Sequence, residues 1–146
     1  MAYILSYTGK IYLKVTDSFG LFDISEAGVN TTITDLWPIN YPLVGARRVG
    51  RTLWEYEFQF NMENRGNGDA TNVVAVLSNW PANVTVIDET VSWPAIPATQ
   101  TVTSFDTFKL RINRRIRVTN STLTWTLTFD DASGKQQKLV NFPLFP

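Results

Sequence analysis

The sequence predicts an all-β protein, an antiparallel sandwich of about eight to ten short strands with no substantial helix. Three observations lead there. Large apolar residues alternate with polar ones along Leu53–Glu63 and again along Leu123–Phe129. Turn-forming clusters, such as Asn64-Arg65-Gly66-Asn67-Gly68-Asp69, separate the strand-like runs at roughly 8–12-residue spacing. No stretch of useful length repeats its apolar residues at the period of an amphipathic helix.

The first stretch organises the rest. Trp54, Tyr56, Phe58, Phe60 and Met62 share one parity; Glu55, Glu57, Gln59, Asn61 and Glu63 share the other. Successive side chains of a strand point to opposite faces, so one long strand over 53–63 has a buried aromatic face and a wet acidic face. The glycine-rich cluster after it supplies a turn, and Thr71–Leu77 returns as the second arm of a hairpin.

In chain order, residues 3–16 alternate around a Thr8-Gly9 break and predict a strand or short strand pair. Asp17-Ser18-Phe19-Gly20 reads as a turn, and the β-branched run Thr31–Trp37 as another strand. Pro38 and Pro42 lack the N–H a ladder needs and are expected to stop regular pairing. Arg47, Arg48 and Arg51 fall in a loop or bulged edge after them. Further on, Val84–Asp88 is a strand, Trp93–Ala98 a proline-marked crossing, and Phe105–Asn113 a strand. Leu123, Trp125, Leu127 and Phe129 alternate with threonines, Asp130–Gly134 turns, and Gln136–Phe142 closes the sheet.

Composition narrows the chemistry. A chain of 146 residues is long enough for one domain with a sizeable core. There is no Cys and no His, which removes thiolate nucleophiles, disulfides, and the commonest general base and metal ligand. Thirteen basic and thirteen acidic residues cancel, so no general attraction to nucleic acid or to anionic membranes is expected. No apolar run reaches the length of a membrane-spanning helix, and the N-terminus lacks the pattern of a signal peptide.

From about residue 43 the chain resembles a known module. The resemblance is carried by Gly45-Ala46-Arg47-Arg48-Val49-Gly50-Arg51-Thr52-Leu53-Trp54-Glu55-Tyr56, by Asn64–Val76 with its Gly-Asp-Ala-Thr-Asn-Val core, by Val84–Asp88, Ile96-Pro97-Ala98 and Thr103–Phe108, and by Leu123–Leu127. These segments resemble the Ig-like repeats of bacterial surface and secreted proteins, related to the cell-adhesion-related (CARDB-type) domains. The resemblance implies an Ig-like sandwich over 43–146, with 1–42 as extra N-terminal strands of a single domain. It implies a non-catalytic, extracellular or cell-surface module, a spacer, adhesion or assembly unit. Its partners would be another protein or neighbouring copies of itself. It carries over no functional residue and no cofactor.

Several residues are candidates for binding. Lys109, Arg111, Arg114, Arg115 and Arg117 form a basic run without an acid, whereas residues 66–108 hold Asp69, Asp88, Glu89 and Asp106 without a base. Either neighbouring strands pair these signs, or the bases form a patch for an acidic partner. Trp37, Trp80 and Trp93 stand beside prolines and are candidates for stacking on a polysaccharide, which makes a carbohydrate-binding module the alternative function; capping the open end of a sandwich is their structural use. Asp130–Gly134 has the hard oxygens of a calcium loop without the spacing, and Asp88-Glu89 could enter glycosidase chemistry only with a cleft. Asn30, Asn83 and Asn120 open N-x-[ST] patterns.

Overall fold

The computed structural model describes residues 2–7, 10–16, 19, 22–28, 32–116 and 122–144, with backbone alone in the strands before residue 29. The chain divides into two compact units, Met1–Thr32 and Ile33–Pro146, where the sequence led us to expect a single domain. In the first unit β1 (Ala2–Tyr7), β2 (Lys10–Thr16) and β3 (Phe22–Gly28) make a three-stranded antiparallel meander. Ile4 stands opposite Leu13, and Leu13 opposite Ser25.

The second unit is an all-β sandwich, and every described strand pairing in it is antiparallel. One layer is a four-stranded sheet with β8 (Ala70–Asn79) and β13 (Thr122–Asp131) in the middle and β10 (Thr90–Ile96) and β14 (Gly134–Pro143) at the edges. The other layer is split. Its first sheet has the order β5-β6-β12-β9, from β5 (Leu43–Arg48), β6 (Leu53–Phe58), β12 (Phe108–Asn113) and β9 (Val84–Asp88). Its second has the order β11-β7-β4, from β11 (Thr101–Thr103), β7 (Asn61–Asn64) and β4 (Leu36–Asn40).

The split corrects the expected single strand over 53–63: β6 ends at Phe58 and β7 begins at Asn61. Pro42 lies across from the break and cannot donate to a ladder. It accepts instead, from Gln59 N at 2.9 Å, and the chain changes sheet there. The expected hairpin is corrected as well: β8 pairs with β10 and β13 and with neither β6 nor β7, so the 65–69 turn carries the chain from one layer to the other. The parity survives the change. Tyr56, Phe58, Phe60 and Met62 are all buried. Pro38 does not stop pairing as expected. It sits inside β4, an edge strand whose register shifts between Pro38 and Asn40, and an edge tolerates a missing donor.

Aromatic rings join the layers. Phe60, at the strand break, lies 5.5 Å from Trp93 of β10 and 5.2 Å from Trp125 of β13, centroid to centroid. Leu123, Trp125, Leu127 and Phe129 all point into this core, and their threonine partners face outward.

The two ends of the sandwich differ. At one, Ile33 meets the 65–69 loop, where Gly68 N donates to Ile33 O at 3.0 Å, and Asp69 and Asp130 stand close to the start of β8. At the other, Arg114 N donates to Thr52 O and Asn113 N to Asn83 O, which ties together the loops around 49–52, 79–83 and 113–116. Pro143, opposite Thr122, lies at this second end. A Cβ on Gly66 would stand 2.0 Å from Ile33 O, a backbone atom that cannot step aside. Gly66→Ala should therefore lower stability by at least ~1–3 kcal/mol, the usual range for overpacking, as read from a urea unfolding curve.

Candidate interaction surface

The outer face of β5-β6-β12-β9 carries the polar parity of the organising stretch. Pairing sets Arg47 opposite Glu55 and Glu55 opposite Arg111; in the next row Gly45 faces Glu57, and Glu57 faces Lys109. Cations and carboxylates thus alternate across the strands. Glu55 is held from both sides: Arg47 Nε donates to Oε2 at 2.7 Å, and Arg111 Nη2 to Oε1 at 2.6 Å. Glu57 accepts from Thr107 Oγ1 at 2.7 Å, with Lys109 Nζ at 3.4 Å. Gly45 has no side chain to fill its place in the row, and a groove of about 790 Å³ opens there between Arg47, Glu57, Lys109 and Arg111.

The wet acidic face expected from the sequence is corrected by these contacts. Glu55 is only 12% exposed and Glu57 35%, while Arg47 is 76%, Lys109 45% and Arg111 43% exposed, so the cations cover the carboxylates. Alternation reports which face a residue takes and is blind to what lies across the next strand. The hydrogen bond from Arg111, then that from Arg47, holds the Glu55 carboxyl below its ordinary range; Thr107 first, then Lys109, do the same for Glu57. A depressed folded-state value contributes stability above the ordinary glutamate range and loses it as pH falls through the folded value. Melting temperature should therefore drop as pH is lowered below about 4.3. Glu55→Gln should flatten that drop in a series of thermal melts; an unchanged slope would refute the clamp.

The five bases of the 109–117 run do not form one patch. Lys109 and Arg111 lie on the outer face in ion pairs, with partners on β6 rather than among the acids of 66–108. Arg114 lies at the end of the sandwich, its guanidinium 4.5 Å from the Trp54 ring and 5.4 Å from Tyr56. Arg115 is exposed in the same turn, and Arg117 is outside the described residues. Their separation follows from β12 ending at Asn113. The acids of 66–108 mostly secure backbone: Asp69 accepts from Ala98 N, Asp88 from Thr90 N, and Asp106 from both Ser92 N and Ser92 Oγ.

Of the three candidate tryptophans, Trp93 is corrected outright. It is buried in β10, packs on Phe60 and donates Nε1–H to Val102 O at 3.1 Å. Pro94 suggested a loop, but β10 is an edge strand, where a proline fits. Trp37 is exposed on β4 beside a hollow of about 290 Å³ that Lys138 and Phe142 also line. Its Nε1–H is given to Asp35, and the Arg65 and Lys138 cations each lie 5.0 Å from its ring centroid. Trp80 is exposed in the turn between β8 and β9.

Asp130 and Asp131 serve the hairpin. Asp131 Oδ1 accepts from Ser133 N at 2.8 Å, Asp130 Oδ2 accepts from Asn72 Nδ2, and Gly134 takes the positive φ of 106° that the turn needs. Donors already point at oxygens that a calcium ion would need. Among the described residues no group of three or more His, Cys, Asp or Glu gathers for a metal. Asn83 Nδ2, the atom a glycan would join, is buried, and Asn30 and Asn120 are outside the described residues.

Comparison with protein-family models and with curated proteins finds no match. The surface itself is therefore the guide. Its carboxylates are held ionised by their partners, which suits charge pairing and unfits Glu55 and Glu57 to donate a proton near neutrality. Arg47 and Glu55 are an ion pair of this surface that the basic run did not single out; the signal was there in the equal parity of Arg47, Glu55 and Arg111 once the strands are registered.

Proposed function

We propose that this chain is a non-catalytic module of an extracellular or cell-surface protein, a spacer or assembly unit whose partners are another protein or neighbouring copies. One observation carries it. The chain enters the sandwich at Ile33 at one end and reaches Pro143 at the opposite end, with ten-residue strands between. At about 3.3 Å per residue such strands span roughly 33 Å, so modules joined through these ends add length along one axis. The resemblance of Asn64–Val76 and its companion segments to CARDB-type repeats supports the same reading, as does the internal pairing of the outer-face charges.

A spacer bears load, and the strand directions suit that. Tension on Ile33 and Leu144 draws β4 and β14 lengthwise against β7 and β13, so that ladder hydrogen bonds resist together. Single-molecule pulling through these positions should give one cooperative unfolding event with a length gain of roughly 350 Å. Its force should be several times that for pulling through Thr122 and Leu144, which peels β14 away one pair at a time. Equal forces in the two geometries would count decisively against the spacer.

The alternative, a carbohydrate-binding module, retains Trp37 and Trp80 as exposed rings. Trp37→Ala and Trp80→Ala in the folded protein should abolish retention on a polysaccharide column if that reading is right. Retention by wild type and both variants alike, or by none, would dismiss it.

A further inference from the structure

The end of the sandwich built from residues 49–52, 79–83 and 113–116 sets exposed arginines beside exposed large apolar side chains. Arg48, Arg51, Arg114 and Arg115 are all exposed there, and none of the three loops contains an Asp or Glu. Val49, Trp80 and Ile116 are exposed large apolar residues on the same three loops. The loops are one surface rather than three neighbours, because Arg114 N is bonded to Thr52 O and Asn113 N to Asn83 O. Arg48 stiffens the first loop by donating to Gly50 O at 3.0 Å and Arg51 O at 2.9 Å. The Arg51 and Arg115 guanidiniums have no partner among the described residues.

We propose that this end docks on an anionic lipid surface. Apolar side chains held at loop tips enter the boundary of headgroup and acyl chain, while arginines beside them meet the phosphates; both contributions are needed for firm interfacial binding. Trp80 is of the type that favours this boundary, with an apolar ring and a polar N–H. Two other occupants fit less well. A polysaccharide would use the tryptophan ring but gains little from Val49 and Ile116. A second copy would have to bring its opposite end, where Asp69, Asp130 and Asp131 offer the charge; its 65–69 and 130–134 loops contain no large apolar residue, and the exposed Ile33 beside them is a single side chain to set against Val49, Trp80 and Ile116. The whole-chain charge of zero does not weaken the attraction, since an interface responds to charges within a Debye length, roughly 10 Å at moderate salt.

Sedimentation of the full chain with vesicles tests this. Binding to vesicles of phosphatidylcholine and phosphatidylserine in equal parts is expected at low salt, with far weaker binding to phosphatidylcholine alone and a steep fall as salt is added. Arg51→Glu with Arg115→Glu should lower the partition coefficient by roughly thirtyfold or more. Ile116→Asp should lower it independently. Lys135→Gln, which removes an exposed cation at the opposite end of the sandwich, should leave it unchanged. Circular dichroism melts of each variant show that the fold is kept. Equal binding to both vesicle types, no binding to either, or variants that bind like wild type would overturn the proposal. So would salt-sensitive dimerisation in sedimentation velocity that the same arginine substitutions abolish, which would assign this end to a second copy. The pulling experiment is indifferent to all of these outcomes, so the two readings fail separately.

Discussion

Asn64→Leu should be among the most damaging single changes in the protein, at about 4 kcal/mol. Asn64 is completely buried at the end of β7 and has all its hydrogen-bonding capacity in use. Its Nδ2 donates to Gly68 O at 2.7 Å and Ile96 O at 3.1 Å, while Oδ1 accepts from Asp35 N at 3.2 Å and Gly66 N at 3.0 Å. One side chain thus joins β4, the 65–69 loop and the end of β10. Leucine has the same branched skeleton, with bulkier methyls in place of the amide and no polar atoms, so four backbone groups lose this partner at roughly 1–3 kcal/mol for each that stays buried and unpaired. Marginal stability of about 5–15 kcal/mol makes this a large fraction of the total. Asn64→Asp keeps both acceptors but turns a charge toward two carbonyls and should also destabilise. Urea unfolding measures both; a loss below about 1 kcal/mol for Asn64→Leu would mean that the loop rearranges without this anchor.

Trp125→Ala should cost about 3–5 kcal/mol, as large aromatic truncations do when the core cannot collapse around them. Trp125 is fully buried in the middle of β13, 4.9 Å from the Phe108 ring and 5.2 Å from Phe60. The site joins both layers, so neither can move in without breaking its own ladder. The change also strips a partner from Tyr41, whose hydroxyl accepts from Trp125 Nε1 at 2.7 Å. Trp80→Ala, an exposed turn residue, should stay within about 0.5 kcal/mol of neutral. Similar unfolding midpoints for the two variants would show that the layers are not packed through Trp125.

The difference between these two tryptophans was legible in the sequence, because Trp125 stands in strict alternation and Trp80 beside a proline in a turn cluster. The same reasoning failed for Trp93. A proline beside it meant an edge strand, and sequence spacing does not separate an edge from a loop. The candidate surface was half legible: parity put Glu55 and Glu57 on the outer face, but not the arginines that cover them.

By itself the sequence determined the all-β class, the faces of the organising stretch and the Asp130–Gly134 hairpin turn, because period-two alternation and glycine-bearing turns are local properties of the chain. That the 65–69 turn crosses between layers and does not close a hairpin was decided by which strands β7 and β8 pair with. Where the long stretch would change sheet was decided only by the tertiary structure, because Pro42 disturbs the ladder from the opposite strand. Tertiary structure also distributed the charges. A strand brings side chains together across some 5 Å of sheet whatever their separation in sequence. Thus Arg47 and Arg111 meet on Glu55, while Arg114, three residues from Arg111, is carried past the end of β12 to the tip of the sandwich.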